Sequence, residues 1–236
     1  MDFVSILHVL EDSLYEVVMW VVLLPKTLVR VLLRPGWIQP YVSAEWEKKA
    51  EKRFQGYLSP MLFWLLLGIL PYAIWDPNFS AHSGAAPTPV LPVESTFLWN
   101  ALILILFPTY YAVVLQLLRR EPVEKEAVRR LFYIECYVHA PIALLGVPLV
   151  VLFLDWAVQQ TSTLAPGLAR VDPALLLGYA GLMGLWIVLV EGVIFKAELK
   201  KGWAQAMGLS LLYGVIGFVL MVLFFLALGL VLVLLA

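Results

Sequence analysis

The stretch GWAQAMGLSLLYGVIGFVLMVLFFLALGLVLVLLA, residues 202–236, contains no charged side chain. A helix needs about 20 apolar residues to cross the ~30 Å hydrocarbon core of a bilayer. The helical part of this stretch, from about Met207, is longer than that, so we expect it to tilt or protrude. A run of this kind predicts an integral membrane protein.

The rest of the chain has a similar composition. Of its 236 residues, 62% are hydrophobic and 14% are charged, whereas soluble domains average about 45–50% apolar and ~25% charged residues. Apolar runs predict five spans, at residues 58–75, 96–118, 131–154, 174–195 and 207–236. We therefore expect an all-α polytopic membrane bundle at 58–236, preceded by a cytoplasmic or interfacial helical region at 1–57.

The basic residues predict the orientation of the spans. Of the 16 Lys and Arg side chains, only Arg170 falls in a loop after the first or third span. All the others lie in the N-terminal region or in the loops after the second and fourth spans. Short loops rich in Lys and Arg stay in the cytoplasm. We expect the N-terminus inside and the C-terminus outside.

Residues 3–33 have apolar side chains at helical spacing. Acidic residues interrupt or precede this pattern, at Asp2, Glu11, Asp12 and Glu16. We favour an amphipathic helix in the cytoplasmic interface, with a second piece after Pro25. The alternative is a sixth span at residues 13–33. The acidic residues and the lack of a basic start argue against a cleavable signal peptide.

A short helix is predicted just before the first span. Ser43 is a suitable N-cap for a helix that runs through Phe54. Glu45 and Glu47 then fall in the first turn, where they complement the helix dipole. We interpret this helix as a solvated segment that leads into the membrane.

Three ionisable residues lie within predicted spans, where such groups suggest function. Glu135 and His139 are four residues apart and share a helix face. Glu191 lies on the next span. Tyr133 and Tyr137 add hydroxyl groups to the same half of the third span, so this region is the best candidate for a polar pocket.

This polar region has three interpretations. It could relay protons or cations, with His139 titrating near neutral pH. It could hold a metal ion, but one imidazole and two carboxylates are few firm ligands, so we predict no metal or other cofactor. In the third interpretation, which we favour, the carboxylates reach the interface or pair with a nearby basic residue: Arg129, Arg130 or Lys196.

Other classes of function have little support. Cys136 is the only cysteine, so an intrachain disulfide is excluded, and we expect a buried thiol. No G-x-S-x-G, P-loop, H-E-x-x-H or C-x-x-C motif occurs, so we do not expect an enzyme. The formal net charge of −1 argues against nucleic acid as a partner.

Small residues recur at three- or four-residue spacing in the last two spans. The set comprises Ala174, Gly178, Gly181, Gly184, Gly214 and Gly217. Such residues let membrane helices approach closely. We expect these two spans to be neighbours, or one of them to form an oligomer face.

Short motifs resemble the Yip-domain (Ypt-interacting protein) family of five-span membrane proteins and its bacterial relatives. They are PKTL at 25–28 and RP at 34–35, before the first span, and YVHAP at 137–141 in the third. The resemblance implies a non-enzymatic membrane adaptor, as in eukaryotic members that bind small GTPases and help shape membranes. It also implies a bacterial inner membrane location. It supplies no catalytic residues.

We therefore predict an integral membrane scaffold or accessory subunit that acts through helix–helix contacts. Its expected partners are the lipid bilayer and either another membrane protein or a second copy of the chain. The alternative is a small transporter or channel component that uses the polar region around Glu135. An intramembrane enzyme is a third, less supported interpretation.

Overall fold

A computed structural model describes residues 3–74, 93–161 and 172–235, and within these ranges the chain is helical and has no strand. The helices are α1 (Phe3–Leu33), α2 (Ile38–Trp46), α3 (Pro60–Ile74), α4 (Val93–Arg119), α5 (Lys125–Thr161), α6 (Pro173–Leu199) and α7 (Trp203–Leu235). Short 3-10 turns occupy Pro35–Trp37 and Ala50–Lys52. The predicted all-α class is confirmed. Helices α3 to α7 overlap the five apolar runs.

Helix α5 is the centre of the bundle, and it packs against α1, α2, α3, α4 and α6. Its first half is almost entirely buried, from Leu131 to Pro141. The ends of α4, α5 and α6 meet where Arg119 and Arg130 both contact Glu198. The basic ends of these three helices therefore lie at one end of the bundle.

Helices α6 and α7 form a tight antiparallel pair. The Asp172 carboxylate accepts a hydrogen bond from the Ala174 N–H at 2.9 Å and caps α6. At the other end Lys200 has a left-handed backbone (φ 53°), and α7 begins three residues later. The Ser210 hydroxyl donates to the Val188 carbonyl at 2.8 Å, which joins the two helices.

The small residues do not pack α6 as expected. In the described chain, nothing would lie within 4 Å of a Cβ added at Gly178, Gly181 or Gly184, and Ala174 is exposed. The last two spans are neighbours, as expected, but these small residues of α6 do not form their contact. It is Gly192 that lies against α7, at the Met207 side chain.

The glycines of α7 contact α4 instead of α6. A Cβ at Gly217 would lie 2.9 Å from Tyr110 Cε1, and one at Gly214 would lie 3.6 Å from the Tyr111 hydroxyl oxygen. The Tyr110 hydroxyl donates to the Tyr213 carbonyl at 3.0 Å. Small residues on α7 thus let the two tyrosines of α4 approach its backbone.

Two described helical stretches are long and apolar enough to cross a membrane, Pro173–Leu199 and Trp203–Leu220. Most of their residues are not buried within the chain. Large apolar side chains such as Leu182, Leu211 and Phe218 are exposed on them. A core helix of a soluble protein would instead bury its apolar side chains.

Helix α1 runs without a break for 31 residues through Pro25, so the expected second piece after this proline is wrong. Its C-terminal half is fixed to the start of α3. The Thr27 hydroxyl accepts from the Leu58 N–H at 3.1 Å and donates to the Leu23 carbonyl at 2.7 Å. The Lys26 ammonium donates to the Gly56 carbonyl at 2.9 Å.

The predicted solvated helix from Ser43 to Phe54 is also wrong, because α2 ends at Trp46. Ser43 lies inside α2 and does not cap it. Glu45 is buried and accepts hydrogen bonds from the Phe54 N–H at 2.7 Å and the Lys48 ammonium at 2.6 Å. These bonds fold the segment back onto the bundle.

An aromatic collar, formed by Trp37, Tyr41, Tyr57 and Tyr137, joins this segment to α5. The Trp37 and Tyr41 rings stack with centroids 4.3 Å apart, and Tyr57 lies 4.6 Å from Trp37. Tyr137 of α5 completes the collar, 5.9 Å from Trp37. Burial and the nearby Glu45 carboxylate raise the pKa of Tyr41, so its hydroxyl stays neutral.

Replacing Glu45 by Ala tests this folded segment. Phe54 has φ 59°, a conformation that is unfavourable for a bulky residue, and the Glu45 carboxylate is its hydrogen-bond partner. We expect Glu45→Ala to lower the free energy of unfolding by about 1–3 kcal/mol, because a buried N–H loses its acceptor. Chemical unfolding of the purified protein measures this change. Glu47→Ala is the matched control at an exposed site, and equal stability of the two variants would contradict the assignment.

Candidate functional site

Glu135 and His139 of α5 meet Glu191 of α6 inside the bundle. All three side chains are buried, with 0%, 5% and 0% of their surface exposed. One donor atom from each residue can be chosen so that all three lie within 4.8 Å of one another. We refer to these three residues as the Glu–His–Glu centre.

The imidazole of His139 is oriented by the backbone of its own helix. Its Nδ1 lies 3.0 Å from the Glu135 carbonyl oxygen, one turn earlier. Because a carbonyl can only accept, this contact assigns the proton of the neutral ring to Nδ1. Nε2 then carries a lone pair, and it lies 3.8 Å from Glu191 Oε1.

The carboxylates of the centre have no counter-charge in direct contact. Within the described ranges, all four side-chain oxygens of Glu135 and Glu191 are buried, and none accepts a hydrogen bond from a backbone N–H or from any other side chain. The two carboxyl groups can hydrogen-bond to each other when one of them is protonated. Glu135 Oε2 lies 3.5 Å from His139 Nδ1, beyond a good hydrogen bond. Two acidic groups thus share a buried site with one imidazole.

The favoured prediction, that these carboxylates pair with nearby basic residues or reach the interface, is wrong. The candidate partners have other contacts. Arg130 binds Glu198, and the Lys196 ammonium lies over the Trp203 ring, 4.5 Å from its centroid. The Arg129 guanidinium lies over the ring of Tyr133, at 5.8 Å.

Glu198 is a buried, ion-paired carboxylate of α6 that the sequence analysis did not identify. Arg130 donates to both of its carboxylate oxygens, at 2.9 and 2.7 Å, and Arg119 donates to Oε2 at 3.2 Å. Arg130 also donates to the Ser43 hydroxyl at 2.9 Å. The seven-residue spacing from Glu191 was a usable signal, because it places both carboxylates on one face of α6.

Aromatic side chains of α4 cover one side of the centre. The Tyr111 and Phe107 rings have centroids 5.0 and 6.0 Å from that of His139. Tyr111 is buried. Periodicity alone did not distinguish these two residues from other aromatic side chains of the same helix.

The two tyrosines that we grouped with this region do not join it. The Tyr137 hydroxyl donates to the Leu58 carbonyl at 2.5 Å, and its ring belongs to the aromatic collar. Tyr133 packs against Trp46 and Phe54, at 5.3 and 5.8 Å. The polar pocket therefore contains three of the five candidate residues, because the N-terminal segment covers the other two. Cys136 is buried, as expected.

Replacing the carboxylates by amides distinguishes an unpaired centre from buried ion pairs. We expect Glu135→Gln and Glu191→Gln to change the free energy of unfolding by less than about 1 kcal/mol or to stabilise the protein, because a neutral group replaces a buried charge that has no counter-charge. Glu198→Gln, two turns along α6, should cost about 3–5 kcal/mol, because it removes the carboxylate that pairs with Arg130 and also contacts Arg119. Unfolding of the purified variants measures both. Similar losses at all three positions would show that the centre is ion-paired.

Comparisons of this chain with protein families, curated proteins and solved structures found no match. The resemblance to Yip-domain proteins, and the bacterial inner membrane location that it implies, remain predictions from short motifs.

Proposed function

We propose that this chain is a multi-pass membrane protein in which α3 to α7 cross the bilayer, with the basic end of the bundle in the cytoplasm. The exposed apolar side chains of α6 and α7 support this arrangement, because water would solvate them poorly. The shared end of α4, α5 and α6, where Arg119 and Arg130 meet Glu198, supports one cytoplasmic side.

Helix α1 fits the cytoplasmic interface in this arrangement. Its C-terminal half packs at the basic end, near Gly56. Apolar side chains on its other face, including Leu14, Val18 and Val21, are exposed. An interfacial helix would place that face in the acyl boundary.

Cysteine labelling tests this topology. In intact cells we expect a membrane-impermeant maleimide to label Ser83→Cys, in the predicted first outer loop, and to label Lys201→Cys only after permeabilisation. The parent protein is the control, because its one cysteine is buried. Labelling of both positions from one side would exclude the five-span arrangement. Ser5→Cys should behave like Lys201→Cys, and labelling from outside would favour a sixth span.

We propose further that the protein is a transporter or channel component in which the Glu–His–Glu centre handles a small cation. The observation that carries this proposal is the pair of buried carboxyl groups beside His139, which no basic side chain contacts in the described chain. Both groups cannot stay ionised without compensation, because an uncompensated buried charge costs several kcal/mol, so either they hold a shared proton or a cation binds between them. A cation or proton would satisfy them.

The scaffold or accessory role is the second candidate. The outward-facing stripe of Gly178, Gly181 and Gly184 favours it, because nothing in the described chain approaches these residues. A helix of another membrane protein, or of a second copy, could approach such a surface closely.

Flux in reconstituted vesicles distinguishes the two roles. We expect the wild type to dissipate a gradient of protons or of a divalent cation, followed with a trapped pH-sensitive or metal-sensitive dye. The Glu135→Gln/Glu191→Gln double variant should fall to the background of empty vesicles, because the centre loses both charges. Glu16→Gln, an exposed carboxylate of α1, is the control. No flux with the wild type, together with a stoichiometric partner in mild detergent, would favour the scaffold.

A further inference from the structure

The donor atoms of the Glu–His–Glu centre are close enough to share one ion. Bonds of about 2.1 Å to a tetrahedral ion place neighbouring ligand atoms about 3.4 Å apart. His139 Nε2 and Glu191 Oε1 are 3.8 Å apart, so a small side-chain rotation brings both to that spacing. Glu135 belongs to the same group of donors within 4.8 Å.

The histidine has the hydrogen bond that a metal ligand needs. In metal sites the ring nitrogen that does not bind the ion usually donates to a carbonyl or carboxylate, which fixes the tautomer. Here Nδ1 of His139 donates to the Glu135 carbonyl at 3.0 Å. The lone pair of Nε2 is thereby left free on the side that faces Glu191.

The charges of the centre also match a divalent cation. Glu135 and Glu191 are fully buried, and in the described chain none of their carboxylate oxygens accepts a hydrogen bond from a backbone N–H or from any other side chain. Two carboxylates and one divalent ion are neutral together, whereas a monovalent ion would leave a net charge in a buried site. The unpartnered oxygens are an observation independent of the clustering itself.

The ligand types narrow the choice of ion. Imidazole suits zinc, iron, copper and nickel, and carboxylates suit manganese, magnesium and calcium. Calcium takes six to eight oxygen ligands, which this centre does not supply. No thiolate belongs to the donor set, so copper(I) is disfavoured.

We propose that Glu135, His139 and Glu191 bind one divalent first-row transition ion, such as Mn²⁺, Fe²⁺, Co²⁺ or Zn²⁺. This inference rests on the proposed cation-handling function and specifies the class of cation that is bound. Three protein ligands leave a coordination position open for water or an exchanging ligand, as in catalytic rather than structural zinc sites. The Tyr111 and Phe107 rings, beside the imidazole, supply an apolar wall to the site.

Cobalt titration tests the inference. The full chain, without an affinity tag, is purified in detergent, stripped with a chelator and titrated with Co²⁺, and visible absorption reports the coordination. We expect one Co²⁺ per chain, displaced by Zn²⁺ but not by Ca²⁺. Lack of saturable binding, or displacement by Ca²⁺ as readily as by Zn²⁺, would overturn the proposal.

Ligand variants locate the ion. We expect each of three variants to bind Co²⁺ at least about tenfold more weakly: Glu135→Gln, His139→Gln and Glu191→Gln. Loss of a residue that only hydrogen-bonds to a ligand already lowers metal affinity by about 10–100-fold. Glu16→Gln, at an exposed carboxylate of α1, should bind Co²⁺ as the wild type does. Glu191→Asp keeps the carboxylate but shortens the side chain, so this variant should fold and bind Co²⁺ weakly. Unchanged affinity in the ligand variants would overturn the proposal.

Vesicle flux separates this inference from the proposed function. Saturable Co²⁺ binding without any cation flux supports the metal site and rejects transport. Proton flux that depends on Glu135 and Glu191, without metal binding, supports transport and rejects the metal site.

Discussion

The ion pair between Arg130 and Glu198 sets the register of α5 against α6. The two helices are antiparallel neighbours. The direction that leads from Arg130 towards the C-terminus of α5 therefore leads from Glu198 towards the N-terminus of α6. Seven residues back along α6 is Glu191, and five to nine residues forward along α5 are Glu135 and His139. The geometry of the Glu–His–Glu centre thus depends on a pair about 10 Å away along the helix axis.

The same pair explains why the centre lacks counter-charges. Arg130 is the basic residue nearest to Glu135 along α5, and its guanidinium is held by both oxygens of Glu198. Lys196 and Arg129 lie over aromatic rings. The three basic residues that lie close to the carboxylates in the sequence therefore have other partners, at the end of the bundle. In the part of the chain that the structure describes, the two acidic side chains deeper in the bundle therefore lie beside an imidazole and contact no basic side chain.

Composition and charge-free runs were sufficient to predict helices α3 to α7, because apolar length and periodicity are local properties of the sequence. The three members of the centre were also identifiable, since an ionisable residue in an apolar run is conspicuous. Their pairing was not predictable. It depends on which carboxylate Arg130 reaches, and in the folded chain that carboxylate is Glu198. Tyr133 and Tyr137 were misplaced for a related reason, because the fold-back at Glu45 is a long-range contact.

The aromatic collar has a consequence for the order in which the protein is assembled. Trp37, Tyr41 and Tyr57 are synthesised early, but they complete their packing only against Tyr137, which belongs to the central helix. Chain segments generally fold in the order of synthesis when they are self-sufficient. The N-terminal region cannot bury its aromatic side chains by itself. These side chains complete their packing only after α3, α4 and α5 have been synthesised.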